Sequence, residues 1–224
     1  MTMRLAVIGH GRQAKRYLEP KNGLGLCVAA DELDHKPDGV IVANHPRDHY
    51  ESTVAALSEG IPCLVEKPLA PTMERCADLI TRAYEADTPL MVAHTLLFSR
   101  RFGDIMERAA GAKHIAIDIG GPRPNGHDYS TGLDWGPHAH SVGIALGANA
   151  ITFGDYPERR ATVTIDGIRH DLNTSDETDP TPMATQVLVF CRLIRGHRDW
   201  RANRAFTFAV YSSLFSLPDV AHPE

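Results

Sequence analysis

Through residue 93, short apolar runs alternate with helix-length stretches whose apolar positions fall on one face. Leu5 to Ile8 form an apolar run that ends at Gly9, and residues 12–18 suit a helix, so the chain opens as strand, tight turn, helix. Val40-Ile41-Val42-Ala43, led in by Asp38-Gly39, is a β-branched run of the kind a parallel sheet buries on both faces. Residues 49–59 can then form a helix closed by Gly60, and Pro62-Cys63-Leu64-Val65 makes a third strand. Behind Thr72, which can cap a first turn, Met73, Cys76, Leu79, Ile80, Ala83 and Tyr84 recur at helical spacing. Leu90-Met91-Val92 makes a fourth strand. This alternation predicts a parallel α/β sheet with right-handed crossovers.

Beyond residue 93 the rhythm changes. Residues 114–119 and 161–165 are strand-like, but no regular strand-then-helix alternation accompanies them. The pattern predicts a second, α+β domain with a small, mainly antiparallel sheet, giving domains of 1–93 and 94–224. Two helices close the chain. Thr181 can cap the first, with Pro182 at its first position and Met183, Val187, Phe190, Cys191 and Ile194 on one face before Gly196. The last runs over residues 203–216. Residues 120–136, rich in Gly and Pro and without a period, read as a long loop of the kind that usually serves function.

Composition narrows the function. With 43% hydrophobic and 23% charged residues over 224 positions, the chain can fill an ordinary core without disulfides or a structural metal. A formal charge of −5, from 23 Lys+Arg against 28 Asp+Glu, gives no basic field for a phosphate backbone, so nucleic acid is not the expected partner. Cys27, Cys63, Cys76 and Cys191 are widely spaced in apolar stretches, which suits a reducing cytoplasm. No run of about 18 apolar residues occurs, and the first residues lack the build of a signal peptide, so neither a leader nor a membrane span is expected.

Three segments could carry chemistry. Gly9-His10-Gly11-Arg12-Gln13-Ala14 is a G-x-G-x-x-A turn directly after a strand. Its first glycine permits the turn, its second lets backbone approach a pyrophosphate, and its small third residue lets helix and strand pack closely. Val65-Glu66-Lys67-Pro68 ends a strand, and open α/β sheets bind ligands beyond the carboxyl ends of their strands, where Lys67 would project. Asp134-Trp135-Gly136-Pro137-His138 sets a carboxylate and an imidazole four apart, a spacing that lets the acid fix the ring tautomer and raise its basicity. The bland alternatives are a structural glycine turn, a solvated lysine, and a capping Asp beside one of 12 histidines. A metal site built from His138, His140 and Asp134 is a further alternative, although no other ligand stands at a recognisable spacing.

Taken together these residues resemble the Gfo/Idh/MocA family of NAD(P)-dependent oxidoreductases. Besides the glycine turn, the resemblance rests on Asp38-Gly39-Val40-Ile41-Val42-Ala43-Asn44 followed by His49, and on Glu66-Lys67-Pro68-Leu69-Ala70 with Thr72, like the family's E-K-P signature. Residues 96–102 are similar to its N-x-R-F segment, Asp134-x-Gly136-x-His138 to its second signature, and residues 190–199 to its C-terminal F-x-x-x-I-R-G-G-R-D.

The resemblance implies a dehydrogenase or reductase of a sugar, polyol or similar metabolite, using NAD or NADP between a Rossmann-like domain and a shortened second domain. Lys67, Asp134 and His138 would be catalytic. Gly9, Gly11, Arg12, Gln13, Ala14, Asp31, Asn44, His45, His49, Glu66 and Lys67 would meet the cofactor, with no metal. His94, Arg100, Arg101 and the 120–136 loop are candidates for substrate contacts, and a homodimer or larger homo-oligomer is expected. Three departures stand out. Ser141 occupies a position where the family usually has aspartate; residues 148–180 leave room for few strands; and the segment between the glycine turn and Val40 is short for two βα units. Either the second strand and its helix are deleted, or residues 24–30 are that strand and Asp31 follows it to meet the adenosine ribose. The shortened nucleotide half also keeps open a degenerate relative that binds a ligand or partner without turnover.

Overall fold

The computed structural model describes residues 3–32, 36–122, 130–173, 180–217 and 220. In chain order its elements are β1 (Leu5–Ile8), α1 (Arg12–Leu18), the one-turn α2 (Pro20–Gly23), β2 (Cys27–Ala29), β3 (Gly39–Val42), α3 (His49–Ser58), β4 (Cys63–Val65), α4 (Met73–Glu85) and β5 (Leu90–Val92). There follow α5 (Arg100–Ala109), β6 (Ile115–Gly121), α6 (Thr131–Leu146), β7 (Ala150–Asp155), β8 (Arg160–Ile165), β9 (Ile168–Asp171), α7 (Pro182–Ile194) and α8 (Arg204–Phe215). The chain divides into two units. The first joins Met1–Ala93 to Asp179–Phe208, and the second joins His94–Thr178 to Ala209–Glu224. This differs from a simple division at residue 93, because α7 returns to the first unit.

The first unit is built on a five-stranded parallel sheet in the order β2-β1-β3-β4-β5. Its central strands are apolar at every position, as a strand covered on both faces must be: Leu5, Ile41, Val42, Leu64 and Val65 are all sealed from solvent. Thr72 caps α4 by accepting from the Arg75 N–H, and Cys76, Leu79, Ile80 and Ala83 form its inward face. α7 is capped by Thr181, whose hydroxyl accepts from the Ala184 N–H and donates to Asn22 in α2. Its Phe190 and Ile194 lie against β3 so closely that a Cβ on Gly39 would come within 2.9 Å of Ile194.

The topology decides between the two readings of the shortened nucleotide half. In the usual dinucleotide-binding sheet the third strand lies outside the second. Here β2 pairs with β1, Leu5 facing Cys27 and Val7 facing Ala29, and among the described residues no strand lies beyond it. The second strand is therefore present, and the reading in which it is deleted is overturned. The element the short 30–38 connection cannot accommodate is the outer strand.

The second unit holds a four-stranded mixed sheet in the order β7-β6-β8-β9, with β6 and β7 parallel and the other pairs antiparallel. β8 turns into β9 through Asp166 and Gly167, both at positive φ (45° and 87°), the conformation a two-residue hairpin requires. Residues 120–136 are not one loop, because β6 runs to Gly121 and α6 begins at Thr131, capped by Ser130; residues 123–129 lie outside the described part. Two of the glycines that suggest a loop, Gly132 and Gly136, are there for packing. A Cβ on Gly132 would stand 2.4 Å from Val220 and on Gly136 2.4 Å from Leu214 of α8; farther along α6, one on Gly143 would stand 2.4 Å from Ile151 of β7, so α6 packs this closely only without side chains at these positions.

Candidate active site

The register of the first sheet brings its carboxyl ends to one edge. Ala43 donates to the Ile8 carbonyl, Glu66 to that of Val42 and Ala93 to that of Val65, so the segments following β1, β3 and β4 emerge side by side. At this edge the two glycines of the turn do different work. Gly9 sits at φ +125°, and a Cβ on it would lie 2.6 Å from the Ala43 carbonyl oxygen, so only glycine fits. Gly11 is exposed at an ordinary φ of −73°, and a Cβ there would meet nothing within 4 Å. Ala14 is fully buried against the sheet. Gly11 is the N-cap residue of α1 and provides no side-chain cap, which leaves the first N–H groups of the helix for an anion, and Arg12 and Gln13 stand on its first turn.

Asn44 closes this edge from β3. Its Nδ2 donates to Ser52 (2.8 Å), while its Oδ1 is buried and accepts no hydrogen bond among the described residues. A buried acceptor without a donor beside an open glycine turn fits a bound group that supplies one. These observations together fit a dinucleotide, with backbone around Gly11 and Arg12 holding its phosphates. Asp31 lies exposed in the single 3₁₀ turn that follows β2, 20 residues beyond Gly11, the separation at which an acidic residue meets the adenosine ribose.

The E-K-P segment is held from several sides. Glu66 is buried, and its Oε1 accepts from Gln13 Nε2 (2.9 Å) and from the Tyr17 hydroxyl (2.7 Å), while its Oε2 faces the Lys67 N–H at 3.3 Å. Burial and the Glu66 charge push the Tyr17 hydroxyl well above its usual pKa, so it stays a donor. His49, also buried, places Nδ1 2.7 Å from the Pro68 carbonyl and Nε2 3.3 Å from that of Asn44. Burial lowers its pKa, and the neutral ring carries its one proton at Nδ1, where the contact is shorter. Glu66 and His49 thus fix the backbone around Lys67, whose side chain is half-exposed. His45 is exposed, and its Nδ1 accepts from the Arg47 N–H.

In the second unit, Asp134 and His138 stand one turn apart on α6, Asp134 buried and His138 half-buried with its ring 6.2 Å from that of Trp135. Ser141, at the family's aspartate position, is sealed from solvent and donates to the His138 carbonyl, so its side chain serves its own helix. His140 turns the other way, its Nδ1 3.0 Å from Ser213 Oγ and its ring against Phe153. Residues two apart on a helix do not face one another. Accordingly, no group of three His, Cys, Asp or Glu side chains comes together among the described residues. His94 is buried against Tyr211, whereas Arg100 is exposed and Arg101 reaches Asp171 at 3.8 Å.

Burial lowers His94 to about 3 and His140 to about 4. In an unfolded chain both titrate near pH 6.5, the ordinary histidine value of about 6.5. Between those values the unfolded state binds more protons than the folded one, so stability is complete above roughly pH 6.5 and declines as pH falls toward 4. Thermal unfolding midpoints should follow this course, with a shallower decline in a His140→Gln variant. A midpoint that holds steady across the window would contradict the assignment.

Comparison with known proteins gives three kinds of likeness. Residues 21–94 match the model of the oxidoreductase family with an NAD-binding Rossmann fold. A 1,5-anhydro-D-fructose reductase of Ensifer adhaerens is 38% identical over 79 residues, which are 34% of this chain and 24% of the reductase, so the match spans about a quarter of that protein. A dehydrogenase from Chromobacterium violaceum superposes with a TM-score of 0.77 at 16% identity, over 97% of this chain and 94% of that one. An oxidoreductase from Agrobacterium radiobacter, solved with NAD+, L-tartaric acid and magnesium, superposes at 0.75 with 14% identity over 99% and 96%. At such identities these structures establish the fold.

Proposed function

Since residues 21–94 match the model of the Gfo/Idh/MocA oxidoreductases with an NAD-binding Rossmann fold, we propose that this chain is a member of that family and transfers a hydride between NAD and a hydroxyl- or carbonyl-bearing carbon of a sugar-like metabolite. The observation that carries this reading is the edge formed by Gly9, Gly11, Asn44 and the anchored Glu66-Lys67 pair. The substrate class is supported by the 1,5-anhydro-D-fructose reductase to which part of this chain is similar. Asp31 after β2 supports NAD over NADP, because a carboxylate accepts from the ribose hydroxyls and repels a phosphate.

The nicotinamide supplies the hydride chemistry when bound. His138 removes the hydroxyl proton in the oxidative direction and returns it in the reductive one. Asp134, one turn earlier on α6, orients that imidazole and stabilises its charged form. Lys67 donates to the reacting oxygen and stabilises the negative charge that develops there. Incubation with NAD and a panel of sugars, polyols and hydroxy acids, followed by nicotinamide absorbance, tests the reading: turnover of at least one member is expected, and binding of NAD with no turnover across the panel would favour a non-catalytic relative.

The same reading includes a homodimer in the cytoplasm. On β6, Ile115, Ile117 and Ile119 are buried, whereas Asp118 points to the other face and accepts from Tyr156 (2.7 Å) and Arg160 (2.9 Å). This face of the second sheet carries the dimer contact. No helix among the described residues is long and apolar enough to cross a membrane, and the free cysteines Cys27, Cys63, Cys76 and Cys191, the last three buried, support a reducing compartment. Sedimentation should give a dimer that Arg160→Glu weakens, and a monomer at high concentration would refute it.

A further inference from the structure

We propose that Gln186 and Tyr17 are positioning residues for Lys67, acting through the Glu66 carboxylate; this rests on the reading of Lys67 as a group that meets the reacting oxygen. Tyr17 and Gln186 are both fully buried, yet each has a polar end inside the core. The directions of their hydrogen bonds are fixed by chemistry. A carboxylate only accepts, so the Tyr17 hydroxyl donates to Glu66 Oε1 at 2.7 Å, and its oxygen is left to accept from Gln186 Nε2 at 2.9 Å. Gln13, two residues beyond Gly11, donates to the same carboxylate oxygen at 2.9 Å. The other oxygen faces the Lys67 N–H at 3.3 Å.

This buried series therefore ends on the backbone from which the Lys67 side chain leaves. The following residue is held as well, since His49 contacts the Pro68 carbonyl at 2.7 Å. Lys67 thus sits between two clamped peptide groups. Gln186 comes from α7, far along the chain, and its place is set one turn earlier: Thr181 caps α7 while donating to Asn22 Oδ1 at 2.9 Å. A purely structural role would need only a packed apolar pair at positions 17 and 186. Three donors converging on one buried carboxylate fix its orientation, and Gln13 links that orientation to the glycine turn, so occupancy of the turn and the placement of Lys67 are coupled.

The chain has only five lysines, Lys15, Lys21, Lys36, Lys67 and Lys113, so each can be followed by trace acetylation and peptide mass spectrometry. The experiment compares wild type with Tyr17→Phe and Gln186→Met, with and without NADH. In both variants the Lys67 labelling rate should rise about threefold or more through local loosening, while Lys36 and Lys113 keep their rates. NADH should protect Lys67 in the wild type and protect it less in the variants at saturating cofactor. A change in unfolding temperature with the Lys67 rate unaltered would overturn the proposal and leave a structural role only. If Tyr17→Phe does not fold, Gln186→Met, which retains the phenol-carboxylate bond, decides. Failure of the functional reading gives a different result: no NADH protection in the wild type, with the variant effect on Lys67 still present.

Discussion

Replacing His138 with alanine should lower turnover by roughly two to four orders of magnitude while NADH affinity stays close to wild type, and replacing Lys67 with methionine should lower turnover over the same range. On the proposed mechanism, loss of His138 leaves the hydroxyl proton with no positioned acceptor, and loss of Lys67 leaves the developing negative charge with no fixed donor. Neither residue is needed for the fold, because both are half-exposed and outside the sealed cores of their units. Asp134→Asn should be milder than His138→Ala and should shift the pH profile, since a neutral amide supports an imidazolium less than a carboxylate does. Steady-state kinetics over a pH series, with the substrate found by the panel, checks all three. Near-normal turnover in either the Lys67 or the His138 variant would remove that residue from the mechanism.

A second large effect is expected at the glycine turn. Gly11→Val should abolish NADH binding and leave the fold and its unfolding temperature nearly unchanged. The backbone there is in a region any residue adopts, and an added Cβ meets no protein atom within 4 Å, so valine occupies only the space into which a pyrophosphate would come. Gly9→Ala should do the reverse and destabilise the protein, because its Cβ would be driven to 2.6 Å from the Ala43 carbonyl at a φ of +125°. Circular dichroism and nicotinamide fluorescence on the two variants separate the effects. Unchanged NADH affinity in folded Gly11→Val would remove the phosphates from this turn.

Which parts of this were legible in the sequence follows from the physics of each element. Strands buried on both faces announce themselves as unbroken apolar runs, so β1, β3, β4 and β5 could be read directly. β9 could not: Ile168-Arg169-His170-Asp171 is a mostly exposed edge strand with almost no apolar signal. The start of α6 was hidden because Gly132, Gly136 and Pro137 are poor helix formers, and their reason for being there, close approach of Val220 and Leu214, is a long-range contact. The helical period of α7 showed which face is buried but not against what, so its return to the first unit was invisible. The lysine, the glycines and the Asp134-His138 pair were legible as motifs. Tyr17 and Gln186 were not, because nothing local distinguishes a buried tyrosine or glutamine that holds a carboxylate from one that merely packs.

The central claim is that the edge around Gly9, Gly11 and Asp31 holds NAD. The most direct measurement is titration of the wild-type protein with NADH and, separately, NADPH, followed by nicotinamide fluorescence. Saturable NADH binding, tighter than that of NADPH because Asp31 disfavours a phosphate on the ribose, is the predicted result. No saturable binding of either nucleotide by the folded protein would contradict the account.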